Sequence, residues 1–279
     1  MTAHQATFLG LVCGYAGFDR SKKQSLMLRA FIDDSRMGQP PIYVLAGWVA
    51  PAKAWASFSD AWQDILWMSP RIEYFKFDEF IGGNGQFYGI TDSLRIENFR
   101  LLHSAIKEHD LYGVSCEIPH SAFYPLFGTL PVKRLRSPYL CAFSGIITAV
   151  AEYCRNYGID EKVEFMFDHQ PGQMTEAEAD WRFLLQVSPP DYKKYLHQHA
   201  HSFMSDTGPG GILALQAADL LAGIRGFVRQ AQWEGQRQPD EPWMVRGIKL
   251  HPVAFDMNMA LKLYSQIFGS FRYVAKPSL

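Results

Sequence analysis

Leu28-Arg29-Ala30-Phe31-Ile32-Asp33-Asp34-Ser35 runs from apolar side chains into two adjacent carboxylates. A short apolar run that meets a polar end is a strand reaching the edge of a sheet; here it begins near Ser25. Gly38, Pro40 and Pro41 follow, which is turn chemistry. Ile42 to Ala50 is a second apolar run, rich in strand formers. The pair predicts a hairpin.

Outward from that hairpin, helices alternate with strands. Pro51 opens a helix, as proline suits a first turn, and Ala54, Trp55, Phe58, Trp62, Ile65 and Leu66 recur at helical spacing. Arg71 to Phe80 reads as a short aromatic strand and a turn, and Gly82, Gly83, Gly85 and Gly89 as a loop. Thr91 to His109 is a helix capped by Thr91 or Asp92, with Leu94, Phe99, Leu102, Ala105 and Ile106 inward. Leu111 to Ile118 is a strand, Pro119 to Pro138 an irregular connection, and Tyr139 to Tyr157 a long helix. Val163 to Phe167 is a strand that runs into Asp168. A helix is expected over Thr175 to Val187, a strand over Tyr195 to Met204 and a turn over Asp206 to Gly211. Helices over Ile212 to Gln232 and Pro252 to Phe268 complete the chain. This order predicts an α/β fold, a mixed sheet with helices on both faces. Residues 1–24 read as an extension and residues 25–279 as a single domain.

Of the 279 residues, 48% are hydrophobic and 20% charged, so a packed core is expected and disorder is not. A net charge of -1 excludes a strongly basic nucleic-acid coat but leaves room for a local basic groove. Cys13, Cys116, Cys141 and Cys154 form no CxxC pair. They are expected as small buried side chains in a reducing compartment. No run has the length of a membrane helix and no signal peptide is read at the start, which predicts a cytoplasmic protein with no membrane partner.

Three acids interrupt apolar runs. Asp33 ends one strand, Asp168 ends another, and Asp219 lies within Leu213-Ala-Leu-Gln-Ala-Ala-Asp-Leu-Leu-Ala-Gly223. A lone carboxylate in such surroundings needs a partner, a proton or a metal. Adjacent strand ends are common ligand sites in open α/β sheets, and a helix packed there would deliver Asp219 to them. Converging oxygens suit Mg2+ or Mn2+, which support in-line displacement at phosphorus with water as nucleophile. Gln216, one turn before Asp219, is placed to orient it or a substrate phosphate. Asp34 points to the opposite strand face, as a turn or supporting group. The plainer reading of each aspartate is a turn residue or a helix cap.

Phe31-Ile32-Asp33-Asp34-Ser35 and Tyr43-Val-Leu-Ala-Gly-Trp-Val49 resemble the start of an uncharacterised bacterial domain-of-unknown-function family, numbered 3800. Leu215-Gln-Ala-Ala-Asp219-Leu-Leu-Ala-Gly223 resembles its most recognisable signature, and Phe165-Met-Phe-Asp168 its middle acidic strand. The resemblance spans about residues 26–225. That family is similar to the ribonuclease H-like superfamily, in which acids from the first strand, a later strand and a late helix bind metal. The resemblance therefore implies that fold, and metal-ligand roles for Asp33, Asp168 and Asp219. Where the family has Glu-Ser-Gly after its first aspartate, this chain has Asp34-Ser35-Arg36. Glu73 and Glu117 are candidates for the fourth acid that ribonuclease H-like enzymes commonly use.

His197, His199 and His201 alternate on an expected strand. They are more simply a polar face than a metal site, with His201 the best placed as a catalytic helper. Lys133, Arg134, Arg136, Arg225 and Arg229 would contact phosphates or serve as solvated surface. Lys76 would touch substrate or balance an acid, and Ser205-Asp206 read as turn and cap. No GxSxG, HExxH or GxxxxGK[ST] pattern is present. The expected function is a metal-dependent nuclease or phosphodiester hydrolase with nucleic acid as partner. The rivals are a non-catalytic module of the same fold that binds nucleic acid or protein, and a nucleotide-directed hydrolase.

Overall fold

A computed structural model describes residues 28–35, 41–130, 133–168, 181–183, 185–186, 188, 190–204, 211–235 and 249–254; for 133–134, 197–204 and 254 it describes the backbone alone. The expected extension at 1–24, Ser205-Asp206, and most of the expected turns at 36–41 and 206–211 and of the helices over 175–187 and 252–268 lie outside the described residues.

The hairpin is formed by β1 (Leu28–Ser35) and β2 (Ile42–Pro51), paired antiparallel with Asp33 opposite Ala46 and Asp34 opposite Leu45. β3 (Tyr112–Pro119) pairs antiparallel with β2, and β4 (Val163–Asp168) pairs parallel with β1. β5 (Leu196–Met204) extends the sheet beyond β4, and β6 (Lys249–Ala254) extends it beyond β3, both parallel. The order is β5-β4-β1-β2-β3-β6, with β2 running against the other described strands. Gly47 sits where β2 meets Ile32 of β1: a Cβ there would lie 1.9 Å from the Phe31 carbonyl oxygen, so only glycine fits the closest approach of the hairpin.

Helices cover both faces. One face of β1 and β2 presents Phe31, Val44, Ala46 and Trp48 to α1 (Ala52–Leu66), α2 (Phe77–Gly82), α3 (Asp92–Glu108) and, after α4 to α6, α7 (Leu213–Trp233). The other presents Ala30, Ile32, Tyr43 and Leu45 to α4 (His120–Phe127) and α5 (Pro138–Asn156). α6 (Pro190–Lys193) is a single turn before β5. Two apolar layers therefore sandwich the sheet, and each fully buried Leu, Ile or Phe contributes roughly 1.5–3 kcal/mol. α7 lies against the sheet centre because it is rich in Ala and Gly. Trp48 Nε1 reaches the Ala217 carbonyl at 2.7 Å, and a Cβ on Gly223 would strike the Phe77 ring at 2.2 Å. Cys116, Cys141 and Cys154 are buried and free. No helix among the described residues is long and apolar enough to cross a membrane.

Some local expectations are corrected. Residues 71–76 are irregular, and Phe77 begins a helix in place of the expected strand end. Asp78 and Glu79 in its first turn complement the helix dipole, and Gly83 closes it at φ 62°. Leu94 faces solvent. Pro51 ends β2 and caps α1 in an extended conformation, so the helix starts one residue later. The irregular connection after β3 contains α4 and a 3-10 turn at Lys133–Arg136. Pro252 lies in β6, an edge strand at the end of the described sheet, where proline's missing N–H is tolerated.

Candidate functional site

β1 and β4 run side by side with Ile32 opposite Phe167, so one further step along each brings Asp33 beside Asp168 at the carboxyl-terminal ends of both strands. Alternation places Asp33 on the same face as Phe31, the face covered by α7. Asp219, in the second turn of α7, meets that end of the sheet. Asp33 and Asp219 are only 4% and 9% exposed. The Lys76 ammonium lies 3.9 Å from Asp33 Oδ2 and 3.3 Å from Asp219 Oδ1. Asp219 Oδ2 accepts the Phe77 N–H at 2.6 Å, the first amide of α2, and Asp33 Oδ1 accepts the Asp34 N–H at 2.7 Å. Asp33 Oδ2 is buried and makes no hydrogen bond.

The carboxylates act on one another. Burial holds Asp33 well above its ordinary value, repulsion from Asp219 adds to this, Lys76 opposes it, and Asp168 and Asp34 push it further up. Burial raises Asp34 to about 7, reinforced by Asp168, opposed by Lys76 and reinforced again by Asp219. Asp34 in turn reinforces the burial that pushes up the Tyr43 phenol, whose hydroxyl is buried with no hydrogen-bond partner. Asp34 therefore belongs to the acid cluster although its side chain takes the α5 face of β1. Carboxylates this close cannot all stay ionised and dry; they take up protons or a cation.

The donor set suits a hard divalent cation: carboxylate oxygens, one of them buried and accepting no hydrogen bond. The arrangement is not a finished cage. Among the described residues, no group of three or more His, Cys, Asp or Glu side chains is disposed to hold a metal ion. Instead, Lys76 lies between two of the acids. A hollow with about 10 Å³ of free space, near the room of one water molecule, is lined by Asp33, Asp34, Tyr139 and Asp168 among others. A larger cleft of about 270 Å³ opens between α2 and α7, lined by Ser35, Phe77, Asp78, Ile81 and Phe227.

The remaining expected residues divide. Gln216 is buried, and its Oε1 accepts Trp62 Nε1 at 3.0 Å and the Phe75 N–H at 3.1 Å. Gln216 and Asp219, one helical turn apart, thus grip alternate amides of the Phe75–Phe77 segment, and that grip positions Lys76. Glu117 is not beside the aspartates as a fourth acid. It accepts Arg225 Nε at 2.5 Å and Arg229 Nε at 2.6 Å, tying β3 to α7. Glu73 is exposed, and its own N–H is held by Gln86. Arg136 donates to the Leu130 carbonyl at 2.5 Å. His201 pairs with Phe165, three residues before the Met204–Asp168 pair, so its backbone is roughly 10 Å down-strand from the acids at about 3.3 Å per residue. A register irregularity in the β4–β5 backbone pairing falls between Val163 and Phe165. Reading residues 71–80 as strand and turn missed the Phe77 amide; the acids at 78–79 followed by Gly83 were the available signal. No protein-family model matches the chain, and no curated protein matches it.

Proposed function

We propose that this chain is a divalent-metal-dependent enzyme acting on phosphodiesters, a nuclease with a ribonuclease H-like fold. In this reading Asp33, Asp168 and Asp219 bind Mg2+ or Mn2+. The observation that carries it is Asp33: buried, with one oxygen that accepts no hydrogen bond, and in mutual repulsion with the other acids while Lys76 opposes them. The origin of the acids supports it too. First strand, later strand and late helix are the sources that the resemblance to family 3800 and the ribonuclease H-like superfamily implies.

A bound divalent ion would supply charge neutralisation at phosphorus and activation of the attacking water. The chain's own residues supply the rest. Phe77 N–H orients Asp219, Gln216 fixes the segment that carries that amide, and the Asp34 N–H orients Asp33. The cleft of about 270 Å³ between α2 and α7 is lined by Ser35 and by Phe77, whose N–H meets Asp219, and substrate would enter there. Nucleic acid is accordingly the proposed partner.

Calorimetric titration of Mg2+ and Mn2+ into wild type and Asp219→Asn tests this. Asparagine keeps an acceptor for the Phe77 N–H, so lost binding reports a lost ligand and not a lost fold. Wild type binds, the variant binds at least about tenfold more weakly, a difference of roughly 1.4 kcal/mol, and DNA or RNA cleavage follows the metal. Equal binding in both proteins, or none in either, overturns the reading.

One observation favours the non-catalytic alternative. Asp219 already receives the first amide of α2 and the Lys76 ammonium, as a cap and ion pair that locks α2 onto α7. In that case Asp219→Asn lowers the melting temperature and no metal binds.

A further inference from the structure

We infer that Lys76 is the built-in counter-ion of the metal site: its ammonium holds Asp33 and Asp219 together in the metal-free protein and must leave when a divalent cation enters. This rests on the metal-dependent reading above. The two carboxylates come from β1 and α7, and Lys76 Nζ lies at 3.9 Å from one and 3.3 Å from the other. A divalent cation held by Asp33 and Asp219 would need the same carboxylates that Lys76 now neutralises. The two positive centres would then share one small space with little water to screen them, and they repel. Lys76 and the metal are therefore alternatives.

The local structure permits the exchange. Lys76 is the residue before α2, in extended conformation (φ -135°, ψ 125°). Its neighbours Phe75 and Phe77 are buried, and their amides are gripped by Gln216 and Asp219. The backbone is thus pinned on both sides of a side chain that is 29% exposed. A four-carbon stem with its base fixed can swing its ammonium into water while the segment stays in place.

Manganese titration of wild type, Lys76→Met and Lys76→Arg decides the matter, with melting temperatures measured in chelator and in excess Mn2+. Methionine keeps the stem and removes the charge. Lys76→Met binds Mn2+ about tenfold more tightly than wild type, as expected when a competitor is removed, and its metal-free melting temperature falls. Lys76→Arg retains the competition and gains no affinity. Affinity in Lys76→Met that is unchanged or weaker, or a metal-free melting temperature that does not fall, overturns the role of Lys76. If Asp33→Asn still abolishes binding in that case, the metal site itself stands. No binding in wild type or in Lys76→Met overturns both.

Discussion

Two groups of buried acid lie at one end of the sheet, and they are settled in opposite ways. At the end of β3, Glu117 is clamped by the guanidinium groups of Arg225 and Arg229, which meet its two oxygens at 2.5 and 2.6 Å. At the ends of β1 and β4, Asp33, Asp34 and Asp168 with Asp219 of α7 repel one another, and the Lys76 ammonium lies 3.3 Å from Asp219 and 3.9 Å from Asp33. Glu117 has its positive charge built in by covalent sequence. Among the aspartates, Asp33 keeps a buried oxygen that accepts no hydrogen bond. A buried carboxylate is thus no sign of function in itself; the informative feature is a buried carboxylate whose surroundings do not neutralise it.

The strongest test of this contrast removes charge on the neutralised side. Glu117→Gln leaves Arg225, which is largely buried, without its anion. Breaking a buried pair from one side costs roughly 3–5 kcal/mol, so denaturant unfolding should show a loss of that order. Mn2+ affinity should be unchanged, because Glu117 is not among the aspartates. A Glu117→Gln protein as stable as wild type would place both acid groups in the same category.

The amino-acid sequence revealed these two sites unequally. The β1–β2 hairpin was legible because two apolar runs flank a Gly-Pro break, and Asp219 stood out because it interrupts an apolar helix. Both signals are local. The neutralisation of Glu117 was not legible, since Arg225 is 108 residues away and only the packing of α7 on β3 brings them together. Lys76 was recognisable as a cation with two uses; which acids it meets depends on a helix at Phe77 that aromatic neighbours disguised as a strand. Gln216 was placed on the correct helix face, one turn from Asp219, but its partners Trp62 and Phe75 come from elsewhere in the chain. Glu73 had nothing to separate it from a solvated surface acid. Strand ends and helix faces follow from periodicity. Charge balance follows from tertiary contact.

A middle-sized effect distinguishes the support of the aspartate site from its ligands. Gln216→Leu leaves Trp62 Nε1 and the Phe75 amide without their acceptor in a buried setting, at roughly 1–3 kcal/mol per unsatisfied group. Stability should fall by at least about 2 kcal/mol, and because the 75–77 segment loosens, Mn2+ affinity should change through Lys76 and Asp219. Loss of stability with wild-type metal affinity would separate the segment from the site.

The smallest effect is the pH dependence of Asp34. Its carboxyl is raised from an ordinary 3.8 to about 7 in the folded chain. Below about pH 4 it is protonated whether the chain is folded or not, and its contribution to stability is fully present. Between about pH 4 and 7 the unfolded chain releases the proton while the folded chain holds it, so stability drains away; above about 7 the loss is complete. Other carboxylates contribute slopes of their own, so the clean measurement is a difference. Asp34→Asn, which mimics the protonated side chain, should match wild type at pH 4 in chelator and exceed it at pH 8. The gain is on the order of 1 kcal/mol, because Asp34 keeps some contact with screening water, and that is about 2–4 °C in melting temperature for a chain of this size. Adding Mn2+ at pH 8 should narrow the gap, since a cation then does what the proton did. A gap that is the same at both pH values would mean that Asp34 is neutralised as thoroughly as Glu117, and the contrast between the two acid groups would shrink to Asp33 and its neighbours on the α7 face.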